Sequence, residues 1–134
     1  KNYLTEKQLY QETYVKIGNF SSESGYSMMK ELIENLSKQL PTAFFMASDA
    51  LAVGALRALQ EADIPVPDRV SLIAFNDTSI AKYVYPPLST VTVFTEEMGR
   101  QGLQLLHEEF QHPGSTIPRM VTLATTLTLR KSSL

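Results

Sequence analysis

Apolar positions along this chain change their period several times, and each change marks an element. Positions 43–47 form a short, unbroken apolar run, the pattern of a parallel strand covered on both faces. Ser48-Asp49 follow as a polar turn and helix N-cap, so any function is expected at that turn, where strand ends and helix N-termini meet. Over positions 50–62 the period becomes helical, and Leu51, Ala52, Ala55, Leu59 and Ala62 share one broad face that predicts a helix covering the sheet. Upstream, Val15-Lys16-Ile17-Gly18 alternates as a first strand ending at Asn19-Phe20, and Ser21 to Ser24 offer caps for another helix. Tyr26, Met29, Ile33, Leu36 and Leu40 give that helix its apolar stripe, which Pro41 ends.

Beyond the central helix, positions 64–68 read as a rigid Pro-containing loop, and positions 70–75 as a second nearly all-apolar strand that ends in Asn76-Asp77-Thr78. Positions 79–84 make one helical turn, Pro86-Pro87 break it, and positions 89–94 alternate as a fourth strand. Thr95-Glu96-Glu97 open a long helix with acidic residues at its positive end, and Met98, Gly102, Leu106 and Phe110 form its stripe. Gly99 and Gly102 predict a close backbone approach there. Pro113-Gly114 stop this helix, and positions 120–129 read as one or two final strands around Ala124-Thr125. Positions 1–14 read as the tail of a helix and a connection. Lys1-Asn2-Tyr3-Leu4 looks like a helix interior, so the chain is expected to be cut from a longer protein. Strand and helix alternate throughout, which predicts an α/β fold: a three-layer αβα sandwich with a mostly parallel sheet.

Composition narrows the function classes. With 134 residues, 43% of them apolar, and a net charge of −2, the chain is a globular unit with its own core. Twelve Lys and Arg against fourteen Asp and Glu leave no basic excess, so nucleic-acid binding by these residues is not expected. No Cys is present, which excludes disulfides and thiolate metal sites and agrees with a cytoplasmic setting. No apolar run is long enough for a membrane span.

Candidate chemistry is sparse. His107 and His112 have no orienting partner in the sequence and read as surface residues. Asp49 sits where an N-cap belongs, which is the better reading than general base or metal ligand. Ser48 lacks the G-x-S-x-G elbow of a hydrolytic serine, and Gly99 to Gly102 lie inside a helix and form no phosphate loop. No catalytic residue, metal site or cofactor is assigned. Phe20, Ser48 and Asn76 each follow a separate strand, however, and a parallel sheet would bring them to one edge as a ligand site. Asp49 and Asp77 would border it. Ala50, Val53 and Gly54 interrupt the polar side of the central helix, a small apolar patch suited to a partner chain.

Three ordered stretches carry a family resemblance: Ala47-Ser48-Asp49-Ala50-Leu51-Ala52-Val53-Gly54, Pro67 through Asp77, and Pro86-Pro87-Leu88-Ser89-Thr90-Val91 with Glu96-Glu97-Met98-Gly99. Together they resemble the LacI/GalR family of sugar-responsive repressors, most nearly its galactoside-responsive branch, which includes the evolved β-galactosidase repressor. The sequence departs from that family's usual residues at Ala74, Asn76 and Val93. The resemblance implies the C-terminal half of a type I periplasmic-binding-protein-like effector domain. Residues 1–93 and 121–134 would form its C-terminal subdomain, and 94–120 would belong to the N-terminal subdomain. It further implies Phe20 stacking on a sugar ring, Ser48 and Asn76 binding its hydroxyls, and a homodimer using Ala50, Val53, Gly54, Tyr83 and Val84. Operator DNA would be bound through a helix-turn-helix outside these residues. A transport-type sugar-binding protein of the same fold is the alternative, and a doubly wound enzyme is disfavoured by the lack of a nucleotide fingerprint or acid–base pair.

Overall fold

The computed structural model describes residues 2–36, 39–114 and 117–134. A four-stranded sheet runs β1 (Ala43–Phe45), β2 (Ser71–Asn76), β3 (Ser89–Thr92), β4 (Thr126–Thr128) in spatial order. The first three strands are parallel, with Phe45 opposite Ile73 and Asn76 opposite Thr92, and β4 joins β3 antiparallel, Leu127 opposite Val91. Among the described residues it is accompanied by the α-helices α1 (Asn2–Glu6), α2 (Ser22–Leu36), α3 (Asp49–Glu61), α4 (Ile80–Tyr83) and α5 (Thr95–Gln111), and a 3-10 turn at Glu12–Tyr14. The α/β class and the mostly parallel sheet are those that the alternating pattern predicts.

Because strand side chains alternate, register assigns each residue a face. Phe44, Leu72, Ala74 and Thr90 share the face that packs with α2 and α3, where Met29, Leu32, Leu56, Leu59, Val70 and Leu88 complete the core. Each fully buried Leu or Met contributes about 1.5–3 kcal/mol relative to exposure, so this single layer carries most of the chain's apolar stabilisation. The two helices meet backbone to backbone. A Cβ on Gly54 would lie 1.8 Å from the Ser22 carbonyl oxygen, and one on Gly25 would lie 2.1 Å from that of Leu51.

Several expectations are corrected. Positions 15–18 form no strand: the segment joins no ladder and Ile17 is 95% exposed, because a four-residue alternation becomes a strand only when a neighbour accepts its hydrogen bonds. β1 is not covered on both faces. Phe45 remains 63% exposed, packing edge-on against Phe75 with ring centroids 6.4 Å apart, and that open face also carries Leu127. Of the sandwich's layers, this stretch thus supplies the sheet and the helices on one side. α2 ends at Leu36, so buried Leu40 lies past the helix, and the predicted helical positions 37–38 fall outside the described residues, as does Lys1. Only Thr126–Thr128 of positions 120–129 is strand. A Cβ on Gly99 or Gly102 would meet no atom of another described element within 4 Å, so no close approach is made there, and α5 contains no buried residue.

Candidate functional site

The carboxyl edge of the sheet is organised by two carboxylates. After β1 the chain turns at Ser48, whose extended backbone (φ −156°, ψ 160°) starts α3 and whose Oγ accepts the Leu51 N–H at 3.2 Å. The cap expected of Asp49 therefore falls to Ser48. Asp49 occupies the first helical position and points inward, 1% exposed. Its Oδ2 accepts from the Thr78 N–H at 2.6 Å and the Thr78 hydroxyl at 2.8 Å, and its Oδ1 accepts from the Thr90 hydroxyl at 3.0 Å. One carboxylate thereby ties α3, the loop after β2, and β3 together. With its acceptors used this way it is a buried tie between elements, which disfavours a role as base or metal ligand.

The loop after β2 is set by the second. Asn76 (φ 107°) and Asp77 (φ 60°) both have left-handed backbones without being glycine. Such conformations cost of order 1–3 kcal/mol each and persist only where surrounding contacts fix them. Those contacts converge on the Asp77 carboxylate: Oδ1 accepts from the Arg130 guanidinium at 2.7 Å and Oδ2 from the Thr92 hydroxyl at 3.0 Å. Arg130 also donates to the Leu88 carbonyl at 2.8 Å, and the Thr92 and Thr128 hydroxyls share a 2.6 Å bond. Burial pushes the Asp77 carboxyl up. The Arg130 and Thr92 hydrogen bonds, with the charges of Arg130 and Lys82, outweigh it and hold the group below its ordinary value. Asp77 caps no helix, since α4 begins after Ser79 and has no side-chain cap bond.

Phe20, Ser48 and Asn76 all lie toward this end of the molecule. Ser48 follows β1 and Asn76 is the last residue of β2, its parallel partner, and Phe20 precedes α2, whose first turns cross those of α3 at Gly25 and Gly54. They differ in availability. Phe20 is 72% exposed and the Asn76 residue is exposed, whereas Ser48 is withdrawn to 5% with its oxygen committed to the cap. Next to Asn76 in the chain begins a cavity of about 450 Å³ lined by Phe75, Val93, Met98, Gly102, Leu105 and Val121 among others. Its apolar wall comes from the residue before Asn76 and from Val93, whose N–H meets the Asn76 carbonyl at 3.4 Å. α5 turns Leu105 toward this cavity, while Leu106 and Phe110 of the expected stripe stay 57% and 80% exposed.

Two further expectations divide. Gly54 is buried in the α2–α3 crossing and so is not part of an outward patch. Ala50, Val53 and Val84 are half-buried, and Tyr83 is 83% exposed, with the next residue's carbonyl-bearing neighbour Tyr85 held to α3 by Gln60 Nε2 at 2.6 Å. His107 lies on the exposed side of α5 near Gln111, and among the described residues no three His, Cys, Asp or Glu side chains converge as metal ligands. Sequence reasoning missed Arg130, Thr78, Thr90 and Thr92. They stand far from the carboxylates they serve, up to 53 positions along the chain, and no local pattern announces them.

An α/β unit with its polar groups gathered at the carboxyl ends of parallel strands defines a ligand-binding class of protein. The chain belongs to the periplasmic binding protein-like domain family, whose profile matches residues 1–133. It is 49% identical over 133 residues to the transcriptional regulator GalR of Streptococcus thermophilus, covering 99% of this chain and 40% of GalR. It is 47% identical over 122 residues to the repressor MelR of Bacillus subtilis strain 168, covering 91% of this chain and 34% of MelR. Among solved structures, a complex of the regulator CelR with cellobiose superposes with a TM-score of 0.89 at 32% identity, over 98% of this chain and 39% of that one. The Lac repressor bound to ONPG superposes at 0.87 with 27% identity, over 98% and 38%. The chain thus spans about two fifths of the length of these relatives, and its resemblance to LacI/GalR-type regulators runs through nearly all of it.

Proposed function

We propose that this chain is the sugar-sensing and dimerising part of a cytoplasmic LacI/GalR-type transcriptional repressor of carbohydrate utilisation, without catalytic activity of its own. Operator DNA is bound through a helix-turn-helix elsewhere in the protein. Residues 1–93 and 121–134 serve as the C-terminal subdomain, and 94–120 pack with the N-terminal one, a reading supported by α5 having no buried residue. The observation that carries the sugar site is Asn76: an exposed amide on a left-handed turn at the carboxyl edge, on the same end as the exposed Phe20 ring. An amide offers both donor and acceptor to vicinal hydroxyls, and an aromatic ring covers a sugar's C–H face. Arg130 is engaged with Asp77, and no Lys or Arg directly follows β1 or β2 in sequence, which favours a neutral sugar such as a galactoside over a phosphate or carboxylate.

Calorimetric titration of the full-length gene product with galactose, lactose and allolactose tests this. Asn76→Ala is expected to weaken the binding sugar by about 1–3 kcal/mol, the cost of leaving its hydroxyls unpaired. Sugar-free operator affinity should stay unchanged. Unaltered sugar affinity in both Asn76→Ala and Phe20→Ala would put the site elsewhere.

A further inference from the structure

We infer that Asp77 and Arg130 are positioning residues for ligand binding: their ion pair clasps the turn that presents Asn76 to the strand segment returning from beyond α5. The inference rests on the sugar-site reading above and names what holds that site in shape. Its ground is the coincidence of two unusual features at one point. Two consecutive non-glycine residues have left-handed backbones, and the side chain of the second is well enclosed in its ion pair, with 10% exposure against 17% for its arginine.

The clasp has more than one tooth. Arg130 is fixed from three sides: its N–H donates to Ser89 Oγ at 2.8 Å, one guanidinium nitrogen to the Leu88 carbonyl, and the other to Asp77 Oδ1. Asp77 Oδ2 takes the Thr92 hydroxyl, and Thr92 is bonded in turn to Thr128 of β4. Both ends of the network therefore sit on β4 or the residues just after it, while its middle sits beside Asn76. Without the carboxylate, the Asn76–Asp77 turn would be free to relax toward negative φ, swinging the Asn76 amide away from the edge. The clasp also joins the turn to the chain that follows the apolar cavity formed by Phe75, Val93, Leu105 and Val121. Movement of that returning segment is thereby transmitted to the Asn76 amide.

Arg130→Met, Asp77→Asn and Thr92→Val are to be compared in the full-length gene product by calorimetry with the same three sugars, alone and combined with Asn76→Ala. Arg130→Met and Asp77→Asn are expected to weaken sugar binding on the order of tenfold, Thr92→Val less, and none of the three to weaken it further once Asn76 is Ala. A purely structural part would lower melting temperature but act equally in both backgrounds. A second readout needs no sugar: in a ¹⁵N-labelled sample, the HN–Hα coupling and intraresidue NOE of Asn76 and Asp77 report positive φ, and should lose that signature in Arg130→Met. Wild-type sugar affinity in Arg130→Met and Asp77→Asn, or a retained left-handed signature, overturns the inference. Unchanged affinity in Asn76→Ala alone removes the sugar-site reading instead, and the backbone readout still decides whether the clasp holds the turn.

Discussion

Asp49 and Asp77 follow two parallel strands at corresponding places, yet their surroundings give them different tasks. Asp49 receives three neutral donors and no cation, and serves as a joint between α3, the loop and β3. Asp77 receives a guanidinium, and its carboxyl is held below its ordinary value because the Arg130 and Thr92 contacts exceed the burial that opposes them. A depressed folded-state pKa means that the carboxylate's stabilisation is complete above the unfolded value, roughly 3.9, and is lost as pH falls through the lower folded value. Urea unfolding of wild type and Asp77→Asn should therefore differ most at neutral pH, with the gap narrowing below about pH 4. A gap equal at pH 7 and pH 3 would show that the charge contributes nothing. Neither role could be read from the residue's place in sequence, since both aspartates simply follow a strand.

At the scale of elements, the glycines separate into two kinds that composition cannot distinguish. Gly54 and Gly25 let α2 and α3 touch backbone to backbone, so Gly54→Ala should destabilise by about 1–3 kcal/mol, as overpacking does, despite the gain in helix propensity. A Cβ on Gly102 in α5 would meet nothing within 4 Å, and Gly102→Ala should stabilise this chain's α5 by up to about 1 kcal/mol. Chemical denaturation for the first and amide exchange within α5 for the second would measure these, and equal signs would contradict the packing described. Periodicity located α2, α3, β2 and β3, which carry the core, and α5, which buries nothing, close to their expected positions. It failed at positions 15–18 and 120–125, where a strand requires a partner that sequence does not supply.

For the whole molecule, the sheet has one face packed by α2 and α3 and another bearing Phe45, Phe75 and Leu127, and α5 exposes Met98, Leu103 and Phe110. If residues 94–120 serve the N-terminal subdomain as proposed, that subdomain would cover such surfaces. The proposed dimer uses a separate region, with Ala50 and Val53 on α3 and Tyr83 at the end of α4. A C2 axis would present that patch twice, and a charge at its centre is poorly tolerated. Val53→Lys in the full-length protein should shift the mass seen by light scattering from dimer toward monomer. Persistence of the dimer would move the interface off α3.

The sequence by itself determined the α/β class, the order of the main elements, the family resemblance and the end of the sheet where polar groups collect. Those features rest on local period and on short contiguous motifs, which a chain carries whether folded or not. Tertiary structure alone decided that Ser48 and not Asp49 caps α3, that Gly54 is a helix contact, and that Arg130 holds Asp77. Each of these depends on which distant donor or backbone arrives at a side chain, and that is fixed only when parallel strands align and the last strand returns beside β3.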